Sequence, residues 1–406
     1  MPTLLQINTV VNRGSTGRIA EDIGKVVTAN GWTSYIAYGR YIRPSQSNLI
    51  RIGTQCDVYK HVLQTRLFDK HGLCSESATV KLISDINIIK PDIIHLHNIH
   101  GYYLNYPILF RFLGEYGVPV VWTLHDCWAF TGHCTNFSFI GCNKWKNFCC
   151  DCIQKRCYPA SFWDGSKRNY LLKKKYFVLV ENLALVPVST WLQNLLSDSF
   201  LSCYPTRRIY NGVDVDAFRP IPIEGWIYEK GFSEKKMVLG VANNWDNRKG
   251  LNDFIELRKI LTSDYIVVLV GLKEKQIKSL PEGIIGIRRT DSVEDLAMYY
   301  SAASVFVNPT WEDNFPTVNL EALACGTPVI TYRTGGSVEA VTDETGFIVE
   351  QGDIQGLTRA IYEMSSKDKK EFEGVCRKRV LDYFNKDDRY SDYLNLYNNL
   401  LLNTAT

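Results

Sequence analysis

The chain has 406 residues, 45% hydrophobic and 22% charged, with 46 Lys and Arg against 43 Asp and Glu for a net charge of +3. This composition excludes a disordered, collagen-like or low-complexity protein, and at about 150 residues per domain it predicts two or three domains. So small a charge does not point to nucleic acid, whose binders carry a stronger basic excess on one face. The opening MPTLLQINTVVNRG has neither the basic nor the apolar region of a secretory signal. The most apolar stretch, YFVLVENLALVPVS, is broken by Glu181 and Asn182, short of the roughly 20 apolar residues of a membrane span. The expectation is a soluble cytoplasmic protein, at most peripheral at the inner face of the cell membrane.

TLLQINTV reads as an apolar strand ending in the polar turn NRGSTGR, and a helix follows through IAEDIGKVVTA to the stop Asn30-Gly31. WTSYIAYG is a second strand. DIIHLHN, VPVVWTLHD and LALVPVS are further strands, apolar on both faces as parallel strands covered by helices must be. The segment between His125 and Tyr158 has no regular period, and seven of the 12 cysteines fall between Cys127 and Cys157. The second half repeats the alternation. KMVLGVA is a strand, RKGLNDFIELRKIL a helix, YIVVLVG a strand, SVEDLAMYYSAA a helix, SVFVNP a strand, FPTVNLEALACG a helix and TPVIT a strand.

Two doubly wound α/β domains follow, facing a cleft at the carboxyl ends of their strands, where ligands of open parallel sheets bind. The prolines Pro205, Pro220 and Pro222 mark the boundary. The expected division is 1–205 with a cysteine-rich insert at 126–158, then 206–385, then a C-terminal helix at 386–406. Tyr390, Tyr393, Leu394, Tyr397, Leu400 and Leu401 form one stripe of that helix, which is expected to pack back toward the first domain.

Three strand-to-helix loops carry candidate chemistry. Gly14 and Gly17 let backbone approach a phosphate at a helix N-terminus, although a plain tight turn explains them equally well. The loop is neither G-x-G-x-x-G nor a Walker loop, which disfavours a nicotinamide dehydrogenase or an NTPase. In W-D-N-R-K-G, Arg248 and Lys249 can neutralise a diphosphate, the alternative being a solvated pair capping a turn. In the third loop Glu312 and Asp313 precede a helix expected to begin near Phe315-Pro316, with Asn314 as its N-cap. Carboxylates there can grip sugar hydroxyls, Glu321 can hold a ribose diol, and the N-terminal amides of Phe315 and Thr317, on either side of Pro316, can meet phosphate or sugar oxygens. Acidic groups at a helix N-terminus are equally simple dipole partners.

His125 ends the strand VPVVWTLH, where it can contact a sugar or be a satisfied structural histidine. His95, His97 and His100 read as structural rather than metal-binding. Cys134, Cys142, Cys149 and Cys152 have the spacing of a structural zinc site, with Cys127, His133, Cys150 and Cys157 as alternates. An iron–sulfur cluster, a disulfide or free thiols remain the other readings. Ser166 to Phe177 mixes five basic residues with aromatics, either a peripheral contact with an anionic membrane surface or a solvated helix face. Asp214-Val215-Asp216 belongs to a turn and is discounted as a metal motif.

D-N-F-P-T-V-N-L-E-A-L-A-C-G-T-P-V-I, starting at Asp313, is similar to the signature of the retaining nucleotide-sugar glycosyltransferases of the GT-B fold, the large fourth family. That family carries a spaced pair of carboxylates, and the matching pair here is Asp313 and Glu321, with Asp where the family usually has Glu. R-I-Y-N-G-V-D-V-D-A-F-R-P (Arg208 to Pro220), V-S-T-W-L (Val188 to Leu192), D-I-I-H-L-H-N and V-W-T-L-H-D resemble other stretches of the same family. R-K-G resembles its donor-phosphate loop, with Lys249 at the family's lysine. Asn243 and Asn244 stand where the family has an arginine, and Arg248 is the substitute. T-L-H-D-C-W-A-F-T-G-H-C resembles a polysaccharide-biosynthesis subgroup.

The resemblance implies a retaining hexosyltransferase with a UDP- or GDP-sugar donor and no catalytic metal. It implies a glycan or lipid-linked acceptor, as in capsule, O-antigen or exopolysaccharide synthesis, with His125, Lys249, Asp313 and Glu321 as catalytic residues. The rival readings are a nucleotide-sugar epimerase or a sugar phosphorylase on the same fold, and a catalytically silent zinc-bearing subunit that binds a glycan or a partner.

Overall fold

The computed structural model describes residues 1–232 and 235–404. They fall into two units, Met1–Tyr210 with Arg389–Thr406, and Asn211–Asp388. The first unit holds a parallel sheet of six strands in the order β3-β2-β1-β4-β5-β6. Its strands are β1 (Thr3–Asn8), β2 (Thr33–Tyr38), β3 (Asn48–Arg51), β4 (Ile93–Leu96), β5 (Val120–Leu124) and β6 (Leu183–Pro187). In β4, β5 and β6 every residue is buried, which is why these strands read as unbroken apolar runs. The second unit repeats the plan in the order β12-β11-β10-β7-β8-β9. Its strands are β7 (Lys236–Val241), β8 (Tyr265–Val270), β9 (Ile284–Ile287), β10 (Val305–Asn308), β11 (Val329–Tyr332) and β12 (Gly346–Val349). This is the α/β, doubly wound architecture that the alternation predicts. The edge strands β3, β9 and β12 escape a sequence reading because they are short and only partly buried, so they lack the unbroken apolar run that marks the equally short β4, β10 and β11.

Two helix starts differ from expectation. The first helix runs Gly14–Ala29, so Gly14 and Gly17 lie in its opening turn rather than in a loop before it. The helix expected to be capped by Asn314 instead runs Thr317–Ala324, with Pro316 as its N-cap in an extended conformation. The ring of Pro316 disfavours helical backbone at Phe315, which pushes the start past the proline.

Residues of the C-terminal helix Lys386–Thr404 close the first core. Tyr390, Tyr393 and Tyr397 pack with Leu4, Ile23, Val27, Ile93, Val121 and Val186. Burying a large apolar side chain contributes about 1.5–3 kcal/mol, and a buried tyrosine hydroxyl needs a partner to keep that gain. Tyr397 Oη lies 2.7 Å from His95 Nδ1, and Thr123 Oγ1 donates to Tyr393 Oη at 3.0 Å.

The cysteine-rich insert has little regular structure beyond short 3-10 turns at Trp128–Phe130, Ser138–Ile140 and Lys144–Lys146. Aromatic packing of Trp145 on Phe137 and Phe130, at centroid distances of 4.9 and 5.2 Å, gives it a small core. The basic helix Ser166–Phe177 fastens it. Lys173 is buried, donates to Trp128 O at 2.6 Å and Thr131 O at 3.0 Å, and lies 3.5 Å from the Trp128 ring centroid. Arg168 donates to Phe68 O and Asp69 O. Of the five basic residues, Lys167, Lys174 and Lys175 are the exposed ones, so this helix is not the wholly solvated face of one sequence reading. Among the described residues no helix is long and apolar enough to cross a membrane.

Removing the Lys173 ammonium leaves two inward-facing carbonyls without their donor. Lys173→Met is expected to cost on the order of 3 kcal/mol, read as a lower urea midpoint with an unchanged slope. Four histidines are also buried with pKa values below the ordinary one: His61, lowered to about 4, and His71, His95 and His97, lowered well below 6.5, all chiefly by burial. The unfolded chain takes up these protons as pH falls through about 6.5, whereas the folded chain does not. Their effect is therefore absent above pH 7 and destabilising below about 6.5. Unfolding free energy measured by urea titration should drop steeply between pH 6.5 and 5, by up to about 1.4 kcal/mol per pH unit for each such histidine. A flat profile over that range would contradict their neutral burial.

Candidate functional site

In each sheet the strand order reverses once, between β1 and β4 and between β7 and β10. At such a point the loops leaving the carboxyl ends of two neighbouring strands part to opposite faces, opening a crevice where open parallel sheets bind ligands. The candidate residues follow these strands.

In the second unit, β7 runs into the turn Asn247–Lys249 and then the helix Leu251–Ile260. Asp246 caps the turn, accepting from Arg248 N at 3.0 Å and pairing with Arg248 Nη2 at 3.1 Å. Gly250 follows with φ +74, and a Cβ there would stand 2.2 Å from Pro309 O, so R-K-G needs its glycine to bring this loop against the one leaving β10. Trp311 N donates to Arg248 O at 2.6 Å, a second tie between the two loops. Across this junction Lys249 Nζ meets Asp313 Oδ2 at 2.5 Å, both side chains half-buried. Gly335, with φ +50, closes on the same residue from behind: a Cβ there would stand 2.0 Å from Asp313 O.

Glu312 and Asp313 are thus told apart by position. Glu312 is 1% exposed, whereas the Asp313 side chain is 18% exposed and ion-paired. Glu321 lies on the buried side of the helix Thr317–Ala324, its Oε2 accepting from Tyr300 Oη at 2.9 Å. Burial and this carboxylate push the Tyr300 pKa well above its ordinary value, so the phenol stays a donor. Tyr300 was not legible as a site residue, since only the packing of the helix Val293–Ala302 brings it to Glu321. Asn314 and Phe315 are buried beside Pro316 and Thr317 at the start of the helix carrying Glu321.

In the first unit, Gly14 and Gly17 follow β1, His97 follows β4 and His125 follows β5. His97 Nδ1 lies 3.2 Å from His125 Nε2, and His97 Nε2 lies 3.0 Å from Gln6 Oε1. Burial lowers the His125 pKa to about 4, against the pull of Asp126. His100 pairs with Asp126 through Nε2 at 2.8 Å. His95, His97 and His100 each have a polar protein partner.

Cys134, Cys142, Cys149 and Cys152 line one cavity of about 270 Å³ in the insert, together with His133. The cysteines are free thiols, and those of Cys134 and Cys152 are hydrogen-bonded to each other. Among the described residues no group of three or more His, Cys, Asp or Glu is arranged to hold a metal ion. The spacing therefore brings the four thiols to one cavity without setting them as a tetrahedral cage.

Two family models match the chain in succession. The one described as Glycosyltransferase Family 4 covers residues 16–217, and the one described as Glycosyl transferases group 1 covers residues 235–367. A protein of Escherichia coli named for colanic acid biosynthesis as a glycosyl transferase is 23% identical over 371 residues, 88% of this chain and 89% of that one. Sucrose-phosphate synthase from Thermosynechococcus elongatus shares the fold over 100% of both chains, with a TM-score of 0.72 at 18% identity. The Anabaena protein HepE, solved in complex with UDP, aligns over 98% of this chain and 100% of its own, with a TM-score of 0.67 at 14% identity. With both sheets and the two consecutive matches in place, the chain belongs to the family 4 glycosyltransferases of the GT-B fold.

Proposed function

We propose that this glycosyltransferase moves a sugar from a UDP- or GDP-sugar to a glycan or lipid-linked acceptor in polysaccharide synthesis, with retention of anomeric configuration. The observation that carries the reading is the Lys249–Asp313 ion pair at the β7/β10 reversal, with Glu321 on the helix that follows. Glu321 holds the ribose diol. A carboxylate has about four acceptor positions, and the Tyr300 hydroxyl takes one. Asp313, with the amides of Phe315 and Thr317, orients the sugar hydroxyls. Lys249 is placed by Asp313 before any ligand arrives, so its charge is preorganised. Once donor binds, Lys249 and Arg248 stabilise the negative charge that develops on the departing diphosphate, the kind of fixed electrostatic help that gives catalysis most of its force. The Gly14–Gly17 turn offers helix-start amides to the same class of anion. His125 hydrogen-bonds a sugar hydroxyl. The relatives' names support the polysaccharide setting, and the UDP complex of HepE supports a nucleotide-linked donor. The exposed lysines of the helix Ser166–Phe177 are proposed to meet an anionic membrane surface, the site of lipid-linked acceptors.

A thermal-shift panel with UDP, GDP, ADP, dTDP and NAD at matched concentration tests the donor site. One nucleoside diphosphate at about 100 times its dissociation constant adds roughly 2.7 kcal/mol of stability. That shift should vanish in Lys249→Ala and Glu321→Ala, with sugar transfer down at least about 100-fold, a typical loss for one electrostatic catalytic group. No shift with any nucleotide would favour the silent binding subunit, and full transfer by Glu321→Ala would overturn the role given to Glu321.

For the insert we propose a structural zinc on Cys134, Cys142, Cys149 and Cys152. Its support is the shared cavity wall and the soft chemistry of four thiols, which metal binding can draw together. Elemental analysis should find one zinc per chain, lost in a Cys149→Ser/Cys152→Ser double variant. A metal-free protein with four titratable thiols here would sink the assignment.

A further inference from the structure

We propose that Gln6 and His97 are positioning residues that fix the form of His125, holding it as a neutral imidazole with its proton on Nε2 and its lone pair on Nδ1. The inference rests on the reading of His125 as a group that hydrogen-bonds substrate.

The assignment follows from which atoms can only accept. Gln6 Nε2 lies 2.8 Å from Ala20 O, and a backbone carbonyl only accepts. The amide of Gln6 is therefore turned with its NH2 toward Ala20 and its Oε1 toward His97. That oxygen also only accepts, so His97 Nε2, 3.0 Å away, carries a proton. In a neutral ring Nδ1 is then the lone pair. It faces His125 Nε2 at 3.2 Å, which must be the donor. The two rings lie within 14° of parallel.

His97 has good reason to stay neutral. It is buried, and the ring of His95 stands 4.0 Å from it, centroid to centroid. His95 is set in the same way from the other side. Thr123 spends its only proton on Tyr393 Oη and so accepts from His95 Nε2 at 2.8 Å, leaving His95 Nδ1 to accept from Tyr397 Oη. Two imidazolium charges at that spacing in a buried sheet end exclude each other. The other titratable groups around His125 are Asp126, next in the chain, and His100, which is paired with Asp126 and lies 3.2 Å from Tyr158 Oη through Nδ1.

The chemical sense is specific to this class of transfer. A nucleoside diphosphate leaves as a stable anion and needs no proton from a histidine. A histidine beside the sugar serves better as a neutral hydrogen-bonding group than as an acid; burial keeps the ring neutral, and the β1–β4–β5 relay leaves that neutral ring a single tautomer. Gln6 and His97 lie deep in the sheet and act only through His125.

The test uses the full-length protein labelled with 15N-histidine. Long-range 1H–15N spectra are assigned with His97→Phe and His125→Ala. In the wild type His125 should show the Nε2–H tautomer and should not titrate between pH 8 and 5.5. Gln6→Glu places a carboxylate against His97 Nε2, which favours a second proton on His97 and forces His125 Nε2 to become the acceptor. The His125 tautomer should swap to Nδ1–H, with kcat for UDP-glucose or GDP-mannose, whichever is turned over, falling about 10-fold while KM stays within threefold. In His97→Phe, which keeps a ring of similar size, His125 loses its acceptor. Its spectrum should become a mixture of the Nε2–H and Nδ1–H forms, with kcat reduced and the pH profile of kcat/KM keeping its wild-type shape.

An Nδ1–H form of His125 in the wild type, its titration near pH 6.5, or a single Nε2–H tautomer persisting in His97→Phe would overturn the relay. His125→Ala with undiminished turnover would instead overturn its role in the reaction and leave the spectra untouched, so the two failures are distinguishable.

Discussion

A parallel sheet sends the loops from its strand ends one way, and a single reversal of strand order parts two of them. Both sheets of this protein are built around that constraint. In the second unit it sets the turn after β7 beside the loop after β10, and the contacts of Lys249 with Asp313 and of Gly250 with Pro309 depend on it. In the first unit it brings β1 beside β4, so that Gln6 and His97 meet. Residues 91 positions apart along the chain become hydrogen-bonded neighbours because two strands are adjacent in the sheet.

The two candidate regions are electrostatic opposites. Around β7 and β10 the charges are kept: Lys249 faces Asp313, Arg248 faces Asp246, and the pairs are half-buried, where attraction is stronger than on an open surface. Around β4 and β5 the His100–Asp126 pair is kept, but the two deepest histidines are held without charge. His95 and His97 are buried among hydroxyl, amide and ring partners that satisfy their nitrogens without ionisation.

The insert shows how a segment without periodicity is held. Its aromatic core of Phe130, Phe137 and Trp145 is small, and the buried ammonium of Lys173 ties Trp128 and Thr131 to a regular helix. A buried charge is costly to desolvate, and burial lowers the Lys173 pKa to about 7, so its hydrogen bonds and the aromatic face alongside hold it in place. His133, hydrogen-bonded to Asp69 at 2.8 Å, adds a second tether on the cavity that the four cysteines share.

The sequence by itself determined the layered α/β architecture, the run of buried strands and the loops that carry chemistry. These features are local: a strand buried on both faces must be apolar throughout, and a strand-to-helix turn announces itself in glycine, proline and polar residues. The spaced residues Lys249, Asp313 and Glu321 were legible because they sit in such turns or on the helix that follows. The tertiary structure alone decided which of Glu312 and Asp313 faces Lys249, because that depends on the loop's path against Gly335. It alone brought Tyr300 to Glu321 and Gln6 to His97, pairings made across a sheet or between helices. It also gave Lys173 an interior place that its basic, mixed sequence does not betray. Hydrogen-bond partners far apart in the chain leave no period or spacing in the sequence, since only the packing of whole elements sets their distance.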